Sequence, residues 1–246
     1  MVSEHGFKAV GIDGCKGKWL LVCLSDTGYD VHLYDTIQEI GDRYQTADII
    51  LIDMPIGLPE SLLDVRPEAL LRKQLKGRAS TVFNVPCRQA VKQTDYESAS
   101  STNYRILGKK LSRQSFGILP KIREIDDYLE DSPHWKNRLL ECHPEYCFAL
   151  LNHGMPISFN KKTPDGRRAR IDLLVKNDPQ TIPLITLFRK KYPRYQGRID
   201  DLLDAMVLAV IGTAGLRLGF HTLPPNATED SRSIRMQILG ANLSRP

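Results

Sequence analysis

Cysteine, aromatic side chains and long apolar runs are all scarce in this sequence. Five cysteines stand among 246 residues (Cys15, Cys23, Cys87, Cys142 and Cys147), an odd number with no C-x-x-C pair. That pattern argues against both a disulfide framework and a structural zinc site. The thiols are expected to be reduced and mostly buried. No apolar run reaches the roughly 18 residues that a membrane-spanning helix needs. At the N-terminus, Glu4 and His5 stand where a secretory signal has its basic start and apolar core. A cytoplasmic location is therefore the expectation. Phe, Trp and Tyr together make up only 7%. Phe83, Tyr104, Phe116 and Phe159 are the candidates for base stacking, although each residue of this kind is more often part of a core. The chain also lacks internal repeats and low-complexity tracts.

What is present is ordinary for a globular chain: 41% hydrophobic and 26% charged residues. The length fits one domain over residues 1–246 with a substantial insertion. The charge is unevenly spread. Between Val65 and Ile125, thirteen Lys or Arg face four Asp or Glu, an excess of +9 that leaves −4 for the rest of a chain of net +5. A basic segment on an acidic body suggests a polyanionic partner. A helical insertion with a solvated lysine face would give the same count.

The first fifty residues read as strands. Lys8–Gly14, Trp19–Leu24 and Val31–Tyr34 are apolar runs separated by the short turn-rich pieces Cys15–Lys18 and Asp26–Gly28, which suits antiparallel hairpins. Thr36 can cap a short helix, Ile37–Tyr44. Ala47–Asp53 is a buried-strand pattern, broken by Met54-Pro55. Residues 60–130 read as mostly helical, with a polar stretch at Thr94–Thr102. Leu139–Cys142 is a fifth strand, and Pro144 opens a helix after it. Helices follow near Arg167–Lys176 and Pro183–Lys190. A long one runs from Ile199 or Asp200 to about Leu218, and Arg232–Leu239 is a last short strand. Together these make a mixed five-stranded α/β sheet with flanking helices and a basic, mostly helical insertion after the fourth strand.

Ligands of such sheets gather outside the carboxyl ends of strands, where this sequence puts acids. Asp13 ends the first strand and Asp53 the fourth. Asp201 and Asp204 lie one turn apart on the long helix, so they share a face. Aspartate is costly to bury unless it is paired or binds a metal. Acids from three distant segments at the edge of a core suggest a shared cation site. Hard oxygen ligands select Mg²⁺ or Mn²⁺, and two such ions can clamp the attacking and leaving oxygens of a phosphodiester. Separate structural roles, as turn residue or helix-start acid, are the plainer reading of each acid alone.

Three runs carry a family resemblance: Gly11-Ile12-Asp13-Gly14-Cys15-Lys16-Gly17 with Trp19, Ile52-Asp53-Met54-Pro55-Ile56-Gly57-Leu58-Pro59, and Glu141-Cys142-His143-Pro144-Glu145. With Ser80–Phe83, Lys161-Lys162-Thr163 and Asp200–Ala205 in order, the sequence resembles the family called domain of unknown function 429 over about residues 8–240. That resemblance implies a ribonuclease H-like fold and nuclease activity. The sequence departs from the family pattern at Pro67-Glu68, where a Cys-Asp pair is expected. Asp13, Asp53 and Asp201-Leu202-Leu203-Asp204-Ala205 are also similar to the acids of Holliday-junction resolvases. Asp13, Asp53, Asp201 and Asp204 are the expected metal ligands, and Glu141 is expected to reach the same site. His143 could shuttle protons, and Glu145 would be an early-helix acid.

Lys16, Arg78, Arg88, Arg113, Lys121, Lys161 and Arg167 are the expected contacts to a DNA or RNA backbone. No sequence-reading motif accompanies them, so structure-selective or non-specific binding is expected. Two other readings stay open: an actin-like phosphotransferase or nucleotide hydrolase, with Gly11–Gly17 as its phosphate hairpin, and a non-catalytic nucleic-acid-binding protein. The oligomeric state is also open, a homodimer included.

Overall fold

The computed structural model describes residues 6–243. Glu4 and His5, on which the reading of the N-terminus rests, lie outside that range. Strands β1 (Lys8–Cys15), β2 (Lys18–Ser25) and β3 (Gly28–Tyr34) form an antiparallel meander. The β1–β2 turn is only two residues long. Lys16 and Gly17 both have positive φ, 47° and 82°, as a hairpin turn that matches strand twist requires. Helix α1 (Ile37–Arg43) starts at Thr36, whose hydroxyl accepts the Glu39 N–H at 3.3 Å.

Strand β4 (Ile49–Ile52) then pairs parallel to β1, and β5 (Leu139–Glu141) parallel to β4. The order β3-β2-β1-β4-β5 gives a mixed sheet with helices on both faces, an RNase H-like α/β fold. Between β4 and β5 run α2 (Glu68–Gln74), α3 (Arg88–Val91), α4 (Tyr96–Leu107), α5 (Arg113–Gly117) and α6 (Leu119–Asp131). After β5 come α7 (Pro144–Leu151), α8 (Pro164–Asn177), α9 (Thr181–Lys191) and α10 (Ile199–Leu218). Strands β6 (Phe220–Leu223) and β7 (Ile238–Ala241) make a separate antiparallel pair.

The period of two along a strand sorts the sheet into two faces. Ala9, Ile49 and Leu51 pack with α10, whereas Val10, Ile12, Ile50 and Ile52 pack with α1, α3 and α6. Helix α10 lies so close on β1 that a Cβ at Gly11 would collide with the Ala205 carbonyl and the Ala209 amide. Asp13 and Asp53 therefore continue the series 9, 11, 13 and 49, 51, 53 and fall on the α10 side.

Three expectations change. The polar stretch at 94–102 is helical, because Asp95 caps α4 by accepting the Ser98 N–H at 2.9 Å. The last strand begins at Ile238, not Arg232. Its partner β6 has no sequence signature of its own: four residues follow the apolar α10, separated only by Gly219 at φ 86°. All five cysteines are free and buried. Among the described residues no helix is long and apolar enough to cross a membrane.

Candidate active site

The parallel register pairs Ile12 with Ile52, and the Asp53 amide donates to the Ile12 carbonyl at 3.0 Å. The next residues along each strand, Asp13 and Asp53, thus stand side by side at the carboxyl edge of the sheet. Asp204 comes from α10, one residue before the Ala205 that touches Gly11, and is 1% exposed. Asp201 lies one turn earlier, near the Cys15 thiol, which is pushed up to about 12 by burial and then by Asp201 and Asp13.

The electrostatics show that these acids share one field. Burial raises the Asp13 carboxyl well above its usual range, and Asp53, Asp204 and Asp201 raise it further. Asp53 is raised to about 6 by burial, with Lys161 opposing and Glu145 adding. Asp204 is also raised to about 6 by burial; Lys161 opposes, and Asp53 and Glu145 add. Carboxylates that raise one another in this way are short of positive charge. One side chain supplies some: the Lys161 ammonium donates to Asp204 Oδ2 at 2.6 Å. Burial works against its charge, but Asp204, Asp53 and Asp13 more than reverse that effect.

Glu145 stands on the first turn of its helix as expected, and Glu141 lines the same cavity as Asp13 and Asp53, each held by a different arginine. Glu145 is 6% exposed on the first turn of α7, close enough to Asp53 and Asp204 to raise both. Its Oε1 accepts from the buried Arg170 at 2.5 Å, and its Oε2 is enclosed with no partner among the described residues. Glu141 instead grips the loop after β4. Arg66 bonds both Glu141 oxygens (2.8 and 3.0 Å), Glu68, and the carbonyls of Ile56 and Gly57, while the Ile56 amide donates to Glu141 Oε2 at 2.9 Å. Burial raises Glu141 to about 7 against the pull of Arg66. Glu68, the residue at the family's point of departure, is thus the second acid of this clamp.

A cavity of about 600 Å³ opens at the strand ends, lined by Asp13, Asp53, Lys16, Lys121, Glu141 and His143 among others. A larger one, about 860 Å³, lies between Tyr146, His153, Asn177 and His221. No carboxylate or ammonium of the described residues lines it, whereas the smaller cavity holds both strand-end acids. Lys121 reaches in from α6 with its ammonium 3.6 Å from the centre of the Trp19 ring and no hydrogen-bond partner among the described residues. Burial lowers it, against Glu124 and Asp13. Burial also lowers His143, against the pull of Glu145 and Asp204, and its Nδ1 is unpartnered among the described residues.

The other expected phosphate contacts divide. Lys16 lines the cavity and is exposed. Arg113 is exposed and stacks 3.7 Å from the Tyr96 ring centre, and Arg167 bonds Asp200 at 3.0 Å. Arg78 donates to the carbonyls of Ile157 (2.9 Å) and Ser158 (2.6 Å), strapping the loop that leads to Lys161. Arg88 is corrected outright. It is 3% exposed and held by Asp126, Asp230, Glu60 and Ser231. Its charge is spent inside the protein, so it does not line an approach to the acids.

A cation between these acids is supported by the donor chemistry: several hard oxygens, mutually repelling, one of them enclosed and unpartnered. The spacing is not that of a finished cage. Among the described residues no three His, Cys, Asp or Glu side chains are arranged to hold one ion between them. A family model described as a protein of unknown function, DUF429, matches residues 11–229. No curated protein and no solved structure matches the chain.

Proposed function

The chain belongs to the DUF429 family, and from that premise and the acidic edge of its sheet we propose that it is a divalent-metal-dependent nuclease, hydrolysing phosphodiester bonds in DNA or RNA. The observation that carries this reading is the side-by-side placement of Asp13 and Asp53 at the carboxyl ends of β1 and β4, with the buried Asp204 of α10 near enough to raise Asp13. A bare scaffold gains nothing from carboxylates that repel one another at the edge of its core.

Asp13, Asp53 and Asp204 are the residues that would hold Mg²⁺ or Mn²⁺, with Asp201 behind Asp13. When bound, such an ion supplies charge stabilisation at the scissile phosphate and an activated water. The protein's own groups do the rest. Lys16 and Lys121 offer positive charge on the walls of the 600 Å³ cavity that contains Asp13 and Asp53, so a phosphate chain is drawn over the acids rather than repelled. His143 lines the same cavity, and its imidazole, whose charged form burial disfavours, would be the group to take up a proton there. Nothing in this arrangement reads base edges, so the backbone is the recognised element.

The test is incubation of the purified protein with labelled single-stranded, duplex, hybrid and branched nucleic acids and with nucleoside triphosphates, each with Mg²⁺, Mn²⁺ or a chelator. Metal-dependent cleavage of a polynucleotide that Asp13→Asn abolishes is the expected result. Triphosphate hydrolysis with intact polynucleotides would replace this reading with the phosphotransferase one.

A further inference from the structure

Of the four aromatic side chains that the sequence offers for base stacking, one stands in the acidic cavity. Phe83 lines it. Phe116 packs edge-on against Tyr96, with ring centres 5.6 Å apart. Tyr104 and Phe159, 56% and 54% exposed, lie outside the cavity lining. Phe83 is also held in place. Arg72 bonds the carbonyl of Val82 before it (2.9 and 3.2 Å) and the side chain of Asn84 after it (2.8 Å). The Phe83 side chain itself packs half-buried against the core on the α1–α6 side of the sheet.

The cavity lining is of two kinds. Leu71, Val82 and Ile238 belong to one apolar cluster, and with Phe83 and Val85 they give the cavity an apolar surface. Asp13, Asp53, Lys16 and Lys121 give it a charged one. Lys121 passes across the end of β1, where a Cβ on Gly14 would lie 3.6 Å from its Cδ. Its ammonium is enclosed, with no hydrogen-bond partner among the described residues. A ligand made of phosphate alone would meet the charged surface and leave the apolar one against water, which is the costly arrangement. A nucleotide carries both parts that fit, a flat ring with two apolar faces and an anion one sugar away.

We propose that this cavity is a subsite for one unpaired nucleobase, stacked on Phe83, so that the substrate is a single strand or an unpaired stretch rather than an intact duplex. The inference rests on the nuclease reading above and narrows its substrate. In a duplex the faces of each base are covered by its neighbours. A volume of about 600 Å³ takes one nucleotide and not a helix. Stacking uses the face of the ring, which every base has, so the subsite selects an unpaired base without preferring a sequence.

The experiment measures affinity by fluorescence anisotropy in chelator, so that no strand is cut. Three labelled probes of equal length are compared: oligothymidylate, the same chain with abasic sites throughout, and a duplex. The proteins are the parent, Phe83→Ala, Phe83→Leu, Phe83→Tyr and Tyr104→Ala, with folding checked by circular dichroism. The parent should bind oligothymidylate about tenfold more tightly than the abasic chain, and more tightly than the duplex despite the greater charge of the latter. Phe83→Tyr and Tyr104→Ala should keep that preference. Phe83→Ala and Phe83→Leu should lose most of it, and the leucine variant, which keeps the apolar bulk, decides if the alanine one fails to fold. Equal affinity of the parent for the base-bearing and abasic chains, a preference for the duplex, or an undiminished preference in Phe83→Leu would overturn the inference. Should cleavage with Mg²⁺ or Mn²⁺ accompany any of these, the nuclease reading stands without it. A preference that depends on Phe83, with no cleavage under any metal, would keep the subsite and remove the nuclease. Binding of none of the probes would remove the subsite.

Discussion

Asp53→Asn should make the metal-free protein more stable at neutral pH, and the gain should vanish in acid. Asp53 is raised from its ordinary 3.8 to about 6 by burial, with Glu145 adding and Lys161 opposing. The folded protein therefore binds this proton more tightly than the unfolded chain does. The linkage sign follows: the stabilisation is complete below about pH 4 and is lost as pH rises through about 6. A shift of about two units corresponds to about 3 kcal/mol once the carboxyl is fully ionised. Asparagine keeps the shape and removes the charge, but it also removes one of the anions that Lys161 attracts. A net gain of about 1–2 kcal/mol at pH 7.5 remains, or about 3–6 °C in Tm for a chain of this size. The assay is urea unfolding of both proteins in chelator at pH 4.5, 6 and 7.5. A variant less stable than the parent at pH 7.5, or a gain equal at pH 4.5 and 7.5, would refute the view that uncompensated charge strains this site. Added Mn²⁺ should stabilise the parent more than the variant.

Asp13→Asn should lower cleavage by at least about a hundredfold and leave substrate binding in a gel-shift assay nearly intact, because the lost charge acts mainly in the transition state. Arg88→Ala should cost about 3–5 kcal/mol in denaturant unfolding, since Asp126 and Asp230 would be left buried without their cation; affinity for nucleic acid, corrected for folded fraction, should not move. Lys121→Met should reduce the salt dependence of nucleic-acid binding by about one unit in log–log slope, with the same loss on every sequence tested. A slope equal to that of the parent would place Lys121 outside the path of the phosphate chain.

The sheet was legible because its strands announce themselves: apolar runs that end in an acid or a tight turn, such as Lys8–Cys15 and Ile49–Ile52. The positions of Asp13 and Asp53 at strand ends are readable for the same reason, and the placement of Asp201 and Asp204 on one helix through their spacing. Strand β6 was not, because four residues after an apolar helix carry no period that separates them from it. The fates of the charged side chains were not legible either. Glu141 and Arg66 meet across 75 positions, and Arg88 and Asp230 across 142; local sequence carries no trace of such pairs. Glu145 is the helix-start acid the sequence suggests, but local sequence cannot show that its partner is the buried Arg170, 25 positions away. A positive segment count likewise cannot tell a free arginine from Arg88, whose charge is consumed internally.

Gly11 carries no functional group, yet it governs how far apart the acids of β1 and α10 stand. The bare backbone there lets α10 settle directly on β1, and Asp204 rides on that helix one residue from the contact. The distance between an acid rooted in the sheet and an acid rooted in the helix is thereby gauged by a missing methyl group. Any side chain at this position would act as a shim: the hydrophobic face would still close around it, the fold would survive in outline, and the two halves of the site would part company. Residues that hold such a tolerance have no chemistry to betray them, and their importance shows only when the gap they keep is measured.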